Sequence, residues 1–477
     1  MKSNSKETNR IKEPSKFAIK FANTLFVLGI LFSVLVMVYA VYENINHPEI
    51  SSTFYYLFFL FSVFTAILFG FGLRRLRDEL KVNMSVMFVT IGIVFYGFET
   101  YLEFFREEPQ SIKAIAEKME VPFDTRTKME VIEDLRNESV EAYPNVHPLI
   151  LLQDSSTLSG LNARGGKVFP LGGISNKILV QGNECGYWMK YKSDRFGFHN
   201  FDSVYQNNKV DILMTGDSFT EGWSVKSNEN ISAVLIESGF NVVNIGKSGN
   251  GTLLQLAALK EYAEPLKPKI VLWVYYINDL RDLYREVKSK MLIKYLNENN
   301  FSQNLIARQD EIDSLLVDYV EVEWERERKR ERERERKRIY NNPVITISKL
   351  TNLRKRINLT PTPTPTPTPI FKEIMQKAKQ MVSGWEGKMY FVYLPAYEQY
   401  STGIEDVNRE FVLRTATELG IPIIDIHREV FVPHTDPLSL FPFRRDGHYN
   451  AEGYRLVSET ISKKLKADGI IPLNSKN

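Results

Sequence analysis

The sequence predicts an α/β fold of parallel strands joined by crossover helices, preceded by amino-terminal transmembrane helices. Three observations carry this. From Val210 onward, short apolar runs alternate with helix-length amphipathic segments. Before them lie two apolar runs long enough to cross a bilayer. Turn residues then cluster where several of the predicted strands end.

The apolar runs come first in the chain. Phe21 to Tyr42 is broken only by Asn23 and Thr24, and Phe54 to Leu73 is similar. A third segment, Met84 to about Phe105, carries Glu99 and Glu103 in its last turns, where they can reach the interface, and a surface-lying amphipathic helix is its alternative. Three helices are therefore expected, at about 21–42, 54–73 and 84–105. Lys2, Lys6, Arg10, Lys12, Lys16 and Lys20 precede the first run, and Arg74, Arg75, Arg77 and Lys81 follow the second, whereas Glu43 to Thr53 has no Lys or Arg. This asymmetry puts residues 1–20 in the cytoplasm and, with three crossings, everything after Arg106 outside it. The first run is too long for a cleaved signal peptide and lacks a convincing small-residue cleavage site.

Residues 107–205 form a polar, mixed lead-in. Short helices are expected at Ile112 to Met119 and Lys128 to Arg136. The stretch Asn183-Glu184-Cys185-Gly186-Tyr187-Trp188 is rich in aromatic and turn residues and reads as packing, with a pocket wall as the alternative. Regular alternation then begins. Strands are expected at Val210 to Met214, Asn241 to Ile245, Ile270 to Tyr276, Met389 to Leu394 and Pro422 to Ile426, with helices at Ile231 to Glu237, Leu253 to Ala263, Ile404 to Leu419 and Ala451 to Leu465. This α/β region splits into 206–283 and 371–470 around an insertion at 284–370. The insertion holds an alternating Glu/Arg run, Glu321 to Arg338, that reads as a solvated or coiled-coil helix, and the low-complexity Thr360 to Pro369, an extended Thr-Pro spacer. It is expected to project from the core, with contact to a protein partner, to the cell wall or to nothing left open.

Composition narrows the function classes. The 61 basic and 58 acidic residues leave a net charge of +3, and the Glu/Arg run is nearly self-neutralising, so no nucleic-acid partner is implied. Cys185 is the only cysteine, which excludes an internal disulfide framework. The histidines His47, His147, His199, His427 and His434 show no ligand spacing, and neither a metal nor another cofactor is expected.

Four short segments hold residue types that acyl transfer needs: Gly216-Asp217-Ser218, Asn244 to Gly251, Tyr276-Ile277-Asn278-Asp279, and Asp446-Gly447-His448-Tyr449-Asn450. Three of them follow predicted strands, and in an open parallel sheet ligands bind outside the carboxyl ends of the strands. Ser218 can attack a carbonyl if His448 takes its proton, Asp446 can orient the imidazole, and the amides of Ser218 and Gly249 with the Asn278 side chain can hold the oxyanion. Each piece also has a plain reading as turn chemistry, Asn450 as a helix cap among them.

Gly216-Asp217-Ser218-Phe219-Thr220-Glu221-Gly222, the Asn244 to Gly251 turn, Asn278-Asp279 and Asp446 with His448 together resemble the four blocks of the SGNH (GDSL-type) hydrolases over about Val210 to Leu465, the insertion excluded. The resemblance implies an α/β/α sandwich with a central parallel sheet, Ser218 as nucleophile, Gly249 and Asn278 in the oxyanion hole, and metal-free ester chemistry on lipids or O-acylated carbohydrate. Two positions depart from the family pattern. Arg445 stands where the family places its Asp, three before the His, so the orienting acid is either Asp446 or absent, leaving a Ser218–His448 dyad. Tyr276 stands where Gly is frequent. The expectation is a membrane-anchored extracytoplasmic esterase acting on O-acyl groups of surface carbohydrate. Its rivals are an O-acetyltransferase with a partner donor and a non-catalytic membrane scaffold.

Overall fold

The computed structural model describes residues 14–46, 52–105, 112–152, 159–206, 209–338, 343–356 and 369–472. The chain divides into two compact units, Met1–Glu108 with Glu335–Thr364, and Pro109–Arg334 with Pro365–Asn477.

The first unit is built on three helices, α1 (Lys16–Asn46), α2 (Ser52–Arg75) and α3 (Asp78–Phe105), each long and apolar enough to cross a membrane. Phe32, Leu35, Phe61 and Ile93 stand exposed on them, a surface that water does not tolerate and lipid does. Inside, Ser33 and Thr65 hydroxyls meet at 3.0 Å across α1 and α2, and the Phe26, Phe69 and Phe88 rings pack edge-on or tilted. Glu99, expected near the interface, is buried instead. Its carboxylate accepts the Asn352 and Leu353 amides at 2.8 and 2.7 Å, while Glu103 accepts from the Asn352 side chain at 2.9 Å. These amides open the helix Thr351–Arg356, so the acid satisfies donors that have no partner within the helix and meets the positive end of its dipole.

The second unit carries a five-stranded sheet of β1 (Ile212–Thr215), β2 (Val242–Asn244), β3 (Ile270–Tyr275), β4 (Lys388–Tyr393) and β5 (Ile423–Asp425). The strands are all parallel in the order β2-β1-β3-β4-β5. Both faces are covered, as parallel sheets require. Leu213, Trp273 and Phe391 face a layer holding the helices Thr252–Ala258 and Pro369–Gly384; Ile212, Leu272 and Val392 face one holding Ile231–Glu237 and Ala451–Ala467. The result is an α/β/α sandwich. Its strand order reverses beside β1, which opens a crevice at the carboxyl ends of β1 and β3. Asn230 and Asn450 cap their helices by accepting the Ala233 and Gly453 amides at 2.9 and 3.0 Å.

Two segments differ from expectation. The insertion does not simply project: the helix Gln309–Arg338 buries Ile312, Leu316, Val320 and Trp324, one turn apart, and only beyond that stripe does its Glu/Arg run continue. Further on, Pro343–Ser348 and Thr351–Arg356 belong to the helical unit. The Thr-Pro run before Pro369 lies outside the described residues. The lead-in, read from the sequence as polar and mixed with no strand expected in it, forms a three-stranded sheet of Ala142–Pro144, Ile178–Val180 and Lys190–Lys192 and a hairpin of Leu161–Ala163 with Gly166–Val168. Its helix Lys128–Asn137 starts at a capping box between Thr127 and Glu130.

Candidate active site

β1 ends at Thr215, and the chain turns through Gly216-Asp217 into a single helical turn, Ser218–Glu221. The Asp217 carboxylate caps it, accepting the Phe219 amide at 2.9 Å. Ser218 thus opens a helix at the sheet's carboxyl edge. The loop before the Asn450-capped helix brings His448 to the same place, with its Nε2 2.7 Å from Ser218 Oγ. Phe219 packs against the imidazole at 4.5 Å and is itself covered by Tyr276 at 4.1 Å, ring centre to ring centre. The tyrosine that replaces the family's usual glycine therefore backs the histidine through Phe219.

The other ring nitrogen is held by a residue the motif did not name. His448 Nδ1 lies 3.0 Å from both carboxylate oxygens of Glu184, and the His448 backbone amide donates to Glu184 Oε2 at 2.9 Å. Trp223 Nε1 donates to Oε1 at 3.1 Å. The expected carboxylate, Asp446, is exposed and does not hold the ring; both imidazole nitrogens are engaged elsewhere. Since an ionised carboxylate only accepts, Nδ1 carries the proton, and Nε2 is left to accept from the Ser218 hydroxyl. Gly447 leaves room for this, because a Cβ there would come within 2.9 Å of Glu184 Oε2. Burial pushes the Glu184 pKa up, but the His448 ring and amide and the Trp223 N–H outweigh it and hold the acid below its ordinary value. Asp217 goes the other way. Burial raises it to about 6 against the opposing pull of His448, the Phe219 amide and Asn278.

Ser218, Gly249 and Asn278, the donors expected for an oxyanion, lie in turns at the carboxyl ends of β1, β2 and β3. Ser218 N–H begins a helix and so has no acceptor within it. Gly249 adopts φ +72°, where a side chain would be strained and would also meet Leu149 at 2.7 Å. Asn278 precedes the helix Asp279–Glu286 without capping it by its side chain, and its amide group lies against the Asp217 carboxyl. One buried acid ties the pieces together. Glu221, in the same turn as Ser218, accepts from Lys247 Nζ, the Ser248 amide and the Asn145 side chain at 2.9 Å each, from the Tyr191 hydroxyl at 3.0 Å, and from the Ser248 hydroxyl. Burial opposes its charge, yet Lys247 and the Ser248 donors hold it at about 2. This network fixes the Gly249 turn against the nucleophile turn and anchors both to the lead-in sheet. Among the described residues no group of three or more His, Cys, Asp or Glu side chains converges as metal ligands would.

A serine hydrogen-bonded to an oriented histidine at the carboxyl edge of a parallel sheet defines the class of serine acyl hydrolases. Comparison with known families narrows the class. The model of the GDSL-like lipase/acylhydrolase family matches residues 214–456, half of the chain, and the chain belongs to that family. No curated protein sequence matches it. Similar solved structures include a lipolytic protein of the G-D-S-L family from Desulfitobacterium hafniense, at 14% identity over 54% of this chain and 99% of that one, with a TM-score of 0.30. A lipase/acylhydrolase from Enterococcus faecalis is 12% identical over 54% and 96% of the two chains, with a TM-score of 0.30. A two-domain esterase active on acetylated mannans is 14% identical over 56% and 51%, with a TM-score of 0.31.

Proposed function

We propose that this chain is a membrane-anchored, extracytoplasmic esterase that removes O-acyl groups from surface carbohydrate through an acyl-Ser218 intermediate. The continuous hydrogen-bonded line from Ser218 Oγ through His448 to Glu184 carries the proposal. As Ser218 Oγ attacks the ester carbonyl, His448 Nε2 takes its proton, and Glu184 stabilises the resulting imidazolium and fixes its tautomer. The carbonyl oxygen gains the negative charge, with the Ser218 and Gly249 amides and the Asn278 side chain as donors. Collapse expels the alcohol, protonated by the imidazolium, and water deacylates the serine by the same steps in reverse order of roles.

The anchoring is supported by the three apolar helices, and the outward placement by Lys and Arg flanking the first two on one side only. Family membership supports an acyl ester as the substrate, and the outward placement favours surface carbohydrate as what carries it. In the test, the full chain in detergent micelles is given p-nitrophenyl acetate and an acetylated polysaccharide, with and without a deacetylated oligosaccharide acceptor. Acetate release that disappears in Ser218→Ala supports the reading. Acetyl appearing on the acceptor in place of free acetate would make the chain an O-acetyltransferase, and no turnover of any ester would leave a non-catalytic membrane scaffold.

A further inference from the structure

Lys128 opens the helix Lys128–Asn137 and sends its ammonium between two indoles, 5.9 Å from the ring centres of both Trp188 and Trp223. Trp223 is also the donor to Glu184, and its ring lies 5.7 Å from that of His448, so the ammonium stands one side chain away from the reacting groups. Among the described residues the Lys128 ammonium has neither an ion pair nor a hydrogen bond. The acid whose field it feels, Glu221, is already taken up by Lys247. Burial pushes the Lys128 pKa down to about 8, as expected for a cation that lacks a counter-ion.

Lys128 also lines a cleft of about 430 Å³ whose other walls include Tyr319, Trp324, Ile150 and Asn145. The acid on its rim, Glu323, is already paired with Arg326. Leu149, the chain neighbour of the cleft residue Ile150, packs against the Gly249 turn, and Asn145, another wall of the cleft, donates to Glu221 in the Ser218 turn. Nearby, the buried His147 Nδ1 has no hydrogen-bond partner among the described residues, and Arg285 adds positive field to that of Lys128 and Lys247 at the same ring. Aromatic walls suit the C–H face of a sugar ring, and a desolvated ammonium suits an anion. Neutral glycan would leave the ammonium unpaired, and an acyl tail would bury it against hydrocarbon.

We propose that this cleft is a subsite for an acidic sugar, whose carboxylate pairs with Lys128 while the neighbouring O-acylated residue reaches Ser218. The proposal rests on the esterase reading only for Ser218 as the nucleophile that the neighbouring sugar must reach. Its test is calorimetric binding to the full-length Ser218→Ala chain in detergent micelles, where turnover cannot interfere, comparing trigalacturonate with a neutral galacto-trisaccharide. A charge-assisted contact predicts at least about tenfold tighter binding of the acid, weakening as salt rises. Lys128→Met should erase the preference and Lys128→Arg should keep it. Equal affinity for the two sugars, or a preference that survives Lys128→Met, would overturn the subsite. The salt dependence and the Arg variant keep the test decisive if the Met variant folds poorly. Absence of ester turnover in the wild type with the preference intact would sink the esterase reading and leave the subsite standing; turnover without the preference would do the reverse.

Discussion

Replacing Glu184 by Gln is the most informative change at the candidate site, because the sequence offers Asp446, two residues before the histidine, while the geometry points to Glu184. The carboxylate faces Nδ1 at 3.0 Å, with side-chain exposures of 17% for His448 and 28% for Glu184, so solvent screens the pair only in part. Two unit charges at that distance attract by about 5 kcal/mol at an effective dielectric of 20. The attraction exists only after His448 has taken the Ser218 proton, so it lowers the transition state and not the ground state. Allowing for partial exposure, about 4 kcal/mol remains, which is about a thousandfold in rate. Glutamine adds a second effect: its NH₂ can donate to Nδ1, which moves the ring proton to Nε2 and removes the acceptor that Ser218 needs. The assay is kcat and KM for p-nitrophenyl acetate across pH 5 to 9 on the full chain, with Asp446→Asn alongside. Glu184→Gln should lower kcat by about a thousandfold with KM nearly unchanged, while Asp446→Asn stays within about threefold. A near-normal Glu184→Gln paired with a crippled Asp446→Asn would refute the reasoning.

Other consequences can be checked together. Glu221→Gln breaks a buried ion pair and strands Lys247, so unfolding in urea should show a loss of about 3–5 kcal/mol if the second unit unfolds as one. The pH dependence has a definite sign. The Glu221 acid is held at about 2 in the folded state, below the unfolded value of about 4.3. Its stabilisation is therefore fully present above that unfolded value and is lost as pH falls towards 2; stability of the Gln variant should be flatter over this window. With Asn278 in its proposed role as an oxyanion donor, Asn278→Ala should cost about a hundredfold to a thousandfold in kcat, read by single-turnover kinetics. An effect under about fivefold would assign Asn278 to holding Asp217 instead.

Much of the sheet was legible because each strand is a short apolar run ended by turn residues, as at Ile270–Tyr275 before Ile277-Asn278. Caps were legible for the same local reason: Asn450 starts its helix where the Asp-Gly-His loop ends. Glu184 was not, since it lies 264 residues from its partner and no periodicity links them. One signal was present: Glu184 is the only carboxylate between Asp154 and Asp194, set among glycines and aromatics. The lead-in strands are three residues each, too short for an alternation to show. In the insertion, the conspicuous Glu/Arg run hid the apolar positions Ile312, Leu316, Val320 and Trp324, which share one face of the same helix.

The central claim is that Ser218 is made nucleophilic by His448, and covalent trapping tests it without knowledge of the substrate. The full-length chain is treated with a fluorophosphonate and weighed intact, and the modified peptide is mapped by mass spectrometry. One adduct per chain is expected, on Ser218, absent in Ser218→Ala and slowed by at least about a hundredfold in His448→Ala. An adduct on another residue, or a Ser218 labelling rate indifferent to loss of the imidazole, would contradict it.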